Sequence, residues 1–258
     1  MPSRRMLEDN VILVELDKSA DLSGAHVIDA TPSAGIAPSI ALSYMIDGLR
    51  PVKIAEVRSR YFPHVSLVSN GVASQPKIEL YKYESGEVKL VLISRNFVME
   101  DGEPSYLIAE RIYRFLIERN ARNYYLLTGI RLTGSRGVYI ASADPDSVRV
   151  FLKAGAKLLR SLDEVPADKL SSHLMHLYLK GTGKVWLLAA EVMPYFPDPA
   201  AAKDLLELLS RVLGFEIDLE KLEDEIRRQR EMMEEFRRDY ERMLQDRVKG
   251  EREPHYIG

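Results

Sequence analysis

Through the first 200 or so residues, short runs of β-branched and aromatic residues alternate with segments of helical periodicity. Residues 11–16, 25–30, 52–57, 65–69, 77–83, 88–94, 124–129, 138–142 and 184–192 read as strands. Residues 36–49, 104–119, 145–153, 167–179 and 199–213 read as helices. Strands separated by helices of 10–15 residues need crossover connections, which predict a largely parallel sheet covered on both faces. The runs either side of Ser85-Gly86 are too close for a crossover and predict a hairpin, so the sheet is mixed.

Several boundaries carry their own mechanism. Asp144-Pro145 and Asp198-Pro199 each place a capping carboxylate before a proline, whose missing N–H costs nothing at the first helical position. Gly214 follows the last apolar residue of the 199–213 segment and suits a left-handed helix stop. Beyond it the character changes. Residues 218–249 contain neither glycine nor proline, and Leu219, Leu222, Ile226, Gln229, Met233, Phe236, Tyr240 and Met243 recur in steps of three and four. This heptad pattern predicts a coiled-coil-like helix about 48 Å long. Its apolar stripe needs a partner, and Leu222, Ile226, Met233, Phe236 and Tyr240 form the expected oligomer or partner face. The expected organisation is a sandwich domain over 1–217, a charged helix over 218–249 and a flexible tail over 250–258.

Composition narrows the function. There are no cysteines, which removes disulfides, thiol nucleophiles and thiolate metal sites and suits a cytoplasmic protein. Of 39 acidic and 36 basic residues, 13 and 10 fall within 218–253, so the remainder is balanced at 26 of each. A neutral body with a mixed-sign helix offers no electrostatic footprint for nucleic acid. The longest apolar run, 185–193, is interrupted by Glu191 and is far short of the roughly 20 residues that cross a bilayer, so no membrane association is expected. Arg4 and Arg5 are followed by Glu8 and Asp9 rather than by an apolar stretch, so no secretion signal is expected.

Candidate chemistry is sparse. Gly35 lies in a strand-to-helix loop that would present N–H groups to a phosphate, but the spaced glycines of a dinucleotide fingerprint are missing and Pro38 removes a donor. Gly181-Thr182-Gly183-Lys184 lacks the earlier glycine and the following Ser or Thr of a phosphate loop. Arg136, between Ser135 and Gly137, would hold an anion or simply close a turn. In open α/β sheets, ligands gather at the carboxyl ends of strands, where the Gly35, Arg136 and Ser94-Arg95-Asn96 loops would meet. His173 and His176 are three residues apart on one helix face without an acidic companion, which reads as half-buried surface and not metal. His64 has no partner in sequence for nucleophilic catalysis. Glu191, ending an apolar strand, is expected to cap the helix near Pro199 or to pair with an arginine. No catalytic residue, metal site or cofactor is expected.

Five blocks in order resemble the proteasome assembly chaperone 2 family, especially its archaeal members, across roughly residues 10–245. They are IDATPSAGIAPSIA at 28–41, RYFPHVSLVSNG at 60–71 with QPKIELY at 75–81, YLIAERIYRF at 106–115, LLAAEVMPYFPDPAAA at 187–202 and LGFEIDLEKL at 213–222. The resemblance implies a three-layer α/β/α sandwich like that of purine nucleoside phosphorylases, with a mostly parallel mixed sheet but without their catalytic residues. It implies homo-oligomers that bind proteasome α-subunits or the assembled α-ring. Some members dock through a terminal hydrophobic–tyrosine–any motif. Here the corresponding residues are Tyr256, Ile257 and Gly258, with the tyrosine one place early. The function expected is therefore a protein-binding, chaperone-like factor. The alternative is an enzyme acting on a nucleoside or phosphorylated substrate through the Gly35 and Arg136 loops.

Overall fold

The computed structural model describes residues 10–69, 71–131, 135–193 and 196–250. The chain divides into two compact units, Met1–Ile217 and Asp218–Gly258.

The first unit is built on one nine-stranded sheet and a separate hairpin. Its elements are β1 (Val11–Glu15), β2 (His26–Ala30), α1 (Ala37–Leu49), β3 (Val52–Ser59), β4 (Leu67–Ser69), β5 (Val72–Ser74), β6 (Ile78–Ser85) and β7 (Val88–Ser94). There follow α2 (Gly102–Glu118), β8 (Asn123–Ile130), β9 (Val138–Ser142), α3 (Arg149–Lys153), β10 (Lys157–Leu158), α4 (Lys169–Lys180), β11 (Lys184–Glu191) and α5 (Pro199–Leu213). The sheet order is β1-β3-β6-β7-β2-β8-β11-β9-β10, with β4 and β5 paired apart.

The centre is parallel: β2 pairs with β7 and β8, and β8 with β11. Both wings hold antiparallel pairs, β1-β3-β6-β7 on one side and β11-β9 on the other. Burial follows this plan. β2, β8 and β11 are buried almost throughout, as strands covered on both faces must be, whereas β1 alternates. On one face Val27, Val91, Ile93 and Leu126 pack with Ile108, Ile112 and Phe115 of α2 and Leu170 and Leu174 of α4. The other face carries α1 and α5, which contact each other and place Met45, Leu205 and Leu209 in the interior. Each such side chain contributes about 1.5–3 kcal/mol on burial.

The sheet, the helices, the hairpin at Gly86 (φ 57°) and the stop at Gly214 (φ 81°) match the sequence reading. So do the caps, since Asp144 accepts from Asp146 N and Asp198 from Ala201 N. The differences have local causes. Ile36 adopts a left-handed φ of 42°, so α1 begins one residue later than its periodicity predicts. Asp168 caps α4, which starts at Lys169. Residues 145–153 divide into a 3-10 turn and α3, while β5 and β10 are too short for a periodic signal.

Among the described residues the second unit holds one helix, α6 (Glu220–Gly250), with Asp218 accepting from Glu220 N at 2.9 Å. Glu220 and Glu223 in its first turn complement the helix dipole. Asp224–Arg227, Glu234–Arg238, Arg237–Glu241 and Asp239–Arg242 pair along its surface, each at a helical spacing that supports the helix locally.

Candidate functional site

The carboxyl ends of β2, β8 and β11 are where an enzyme of this architecture would hold a ligand, and here that space is filled by the chain. Ser33 Oγ accepts from Gly129 N at 2.8 Å, and a side chain on Gly129 would collide with the Ala34 carbonyl. Gly35 (φ 68°) lies so close to Val192 that an added Cβ would sit 2.8 Å from the valine Cβ. Its carbonyl accepts from Asp198 N at 2.8 Å, and Ile36 N donates to Ser33 O. The loop is therefore packed between strands instead of cradling a phosphate. Arg136 is occupied as well, donating to Asp204 at 2.9 Å. The carbonyls of Ser135 and Arg136 face Lys157 Nζ at 2.8 Å, an arrangement that holds a cation and not an anion.

Ser94-Arg95-Asn96 does enter the crevice, as structure. Arg95 is buried and its guanidinium pairs with both oxygens of Asp168 and with Ser171 Oγ, 3.9 Å from Asp29. Asp168 also accepts from Met99 N at 2.9 Å, and its own N–H donates to Thr31 Oγ1 at 3.1 Å. Tyr124 O–H donates to Asp29 Oδ2 at 2.6 Å. Burial pushes the Asp29 carboxyl up, against the pull of Arg95, and burial beside Asp29 pushes the Tyr124 hydroxyl well up. One guanidinium thus compensates Asp168, while Asp29 is held toward its neutral form. The cluster pins the ends of β7 and β2 to the start of α4, with the side chains of Arg95, Asp29 and Asp168 buried. Asp29 and Asp168 escaped the sequence reading. The available signals were an acid inside an apolar strand and a capping acid before a helix.

A groove of about 530 Å³ lies between α1 and the segment after β7, lined by Ile36, Leu42, Ile46, Tyr81, Phe97 and Val98 among others. Its titratable lining is already engaged: Arg95 as above, and Tyr81, whose O–H donates to Glu79 and is pushed up to about 12 by burial and that carboxylate. It holds no acid, base and nucleophile set.

His173, His64 and Glu191 each meet a neighbour. His173 packs edge-on to Tyr106 at 5.5 Å, and burial lowers its pKa. Among the described residues no group of three His, Asp or Glu side chains could hold a metal. His64 Nε2 lies 3.3 Å from the Arg60 carbonyl. Glu191 neither caps α5, which Asp198 does, nor pairs with an arginine among the described residues; it accepts from Tyr139 O–H at 3.4 Å. No helix among the described residues is long and apolar enough to cross a membrane.

The helical stripe is different. Leu222 and Ile226 are buried and Met233 is half-buried, but Phe236 is 72% and Tyr240 55% exposed. The stripe is buried at its start and exposed toward its end. Tyr256, Ile257 and Gly258 lie outside the described residues.

The PAC2 family model matches residues 27–237, most of the chain. The chain belongs to the PAC2 family. An uncharacterised protein of Methanocaldococcus jannaschii is 26% identical over 245 residues, covering 92% of this chain and 93% of that one. The crystal structure of Pyrococcus furiosus PbaB, described as an archaeal proteasome activator, shares the fold with a TM-score of 0.78 at 21% identity, covering 88% of this chain and 99% of PbaB. Pyrococcus furiosus PbaA, described as an archaeal homologue of proteasome-assembly chaperone, gives 0.67 at 24% identity, covering 92% and 98%. The PAC2 match runs from Val27 through Phe236, so it includes most of the stripe of α6 and the sheet strands from β2 onward, but not β1.

Proposed function

We propose that this PAC2 protein is a non-catalytic, cytoplasmic binding factor for proteasome α-subunits or the α-ring. It acts as a homo-oligomer and engages its client through C-terminal residues Tyr256, Ile257 and Gly258. The observation that carries this reading is the change along α6 from buried Leu222 and Ile226 to bare Phe236 and Tyr240. Exposed aromatics in register on a charged helix are an unmet interface. Family membership and the filled crevice support the same reading. A short tail is costly to order, so one copy binds weakly, whereas an oligomer displaying several gains affinity through effective concentration.

Native mass spectrometry with purified α-subunits tests the proposal. The full chain is expected to form a complex, and removal of residues 250–258 to weaken it at least about tenfold, consistent with loss of multivalent contact. Unchanged binding on truncation would remove the tail from the mechanism. No complex with the full chain would remove the function.

A further inference from the structure

The two edges of the main sheet are built differently. One ends in β10, only two residues long, with Lys157 folded back over Tyr139 at 5.5 Å, the usual way of blunting an edge. The other ends in β1, five residues reading VILVE, with no lysine, proline or glycine and with Ile12 57% exposed. Its one charge, Glu15, is held by Arg119 at 2.8 Å.

The register shows which groups of β1 are open. Arg60 N donates to the Asn10 carbonyl and Leu16 N to the Ile54 carbonyl, in register with Ile12↔Arg58 and Val14↔Glu56. Even-numbered residues therefore bond to β3, and the N–H and C=O groups of Val11, Leu13 and Glu15 point away from it, to an edge with no partner strand among the described residues. Beside that edge runs a groove of about 390 Å³ between β1 and α2, lined also by Leu107, Glu110, Arg111 and Arg114.

We propose that two copies of the chain pair their β1 strands antiparallel across a two-fold axis, with Leu13 opposite Leu13. This interface is separate from α6 and does not depend on the proposed client. Self-complementarity argues for a second copy as the occupant. Centring on Leu13 sets Val11 against Glu15 of the second copy, so every outward N–H and C=O of the strand gains a partner. On the exposed face Ile12 meets Val14, apolar on apolar, and no charge faces a like charge. Each Glu15 keeps Arg119 on Oε2 and offers Oε1 to the neighbouring groove, where exposed Arg111 has no ion pair of its own among the described residues.

The test uses the absence of native cysteine. Ile12 and Val14 of opposite copies form a non-hydrogen-bonded pair, close enough for a disulfide, whereas Ile12 of one copy is too far from Ile12 of the other. Under mild oxidation the full-length Ile12→Cys/Val14→Cys variant is expected to become mainly covalent dimer, Ile12→Cys alone to remain uncrosslinked, and Phe236→Asp to leave crosslinking unchanged. Ile12→Lys in the otherwise native chain is expected to weaken the dimer at least about tenfold, as an edge lysine blocks pairing. Hydrogen exchange should show protection of the Val11, Leu13 and Glu15 amides that rises with protein concentration. Equal crosslinking of single and double variants, a monomeric native chain, or protection independent of concentration would overturn the proposal. The last outcome would mean that the chain covers its own edge.

Discussion

The crevice of the sheet and the stripe of α6 are opposite solutions to the same problem. In the crevice, charged groups are taken inside and matched: Arg95 with Asp168, Asp29 with Tyr124, the Asp168 N–H with Thr31. On α6 the charges stay outside, pairing along the helix, while Phe236 and Tyr240 are left in water. The crevice's charged groups are largely paired among themselves, and among the described residues only Asp29 Oδ1 and Arg95 Nε in this cluster are left without a hydrogen-bond partner. Under the proposed function, recognition falls to the helix and not to the crevice.

The contrast can be broken most forcefully at Arg95. Arg95→Ala strands buried Asp168 without its cation, and loss of one partner from a buried ion pair costs about 3–5 kcal/mol. Urea unfolding should show that loss, and a change below about 1 kcal/mol would mean that the cluster is not closed to water. The two ends of the helical stripe should then separate. Ile226→Ala removes a buried side chain and is expected to lower stability by about 2 kcal/mol or more. Phe236→Asp replaces an exposed one and should change stability by no more than about 0.5 kcal/mol while altering the oligomeric state seen by light scattering. Equal effects at both positions would erase the distinction between the buried and bare parts of the stripe.

The smallest effect is a slope. The folded Asp29 carboxyl keeps its proton to higher pH than the unfolded one, so between those two values the folded state binds more protons. Its contribution is complete below about pH 4, near the ordinary aspartate value, and is lost as pH rises through the folded value. Asp29→Asn should flatten that decline, by no more than about 1.4 kcal/mol per pH unit, in thermal unfolding across pH. An unchanged slope would show Asp29 ionised and the balance of the cluster different.

Much of the architecture was legible because its signals are local. The strand at residues 88–94 and the helix at 199–213 coincide with β7 and α5, since periodicity and caps act within a few residues. The crevice was legible only as a place. That Gly35 packs on Val192 or that Arg136 meets Asp204 depends on contacts between distant segments. Glu191 shows the same limit: an acid at a strand end announces a partner, but Tyr139 becomes that partner only through the β9–β11 register.

The sequence by itself determined the alternation that makes a mixed sheet between helices, the stops at Gly86 and Gly214, the uninterrupted charged helix and the family. Only the tertiary structure decided that Arg95 and Asp168, 73 residues apart, meet in the crevice, that β1 is the last strand of the sheet among the described residues, and that the stripe of α6 is buried at Leu222 and bare at Phe236. The physical reason is range. Propensity, capping and periodicity are written into neighbouring residues, whereas burial and pairing depend on which distant segment the fold brings alongside.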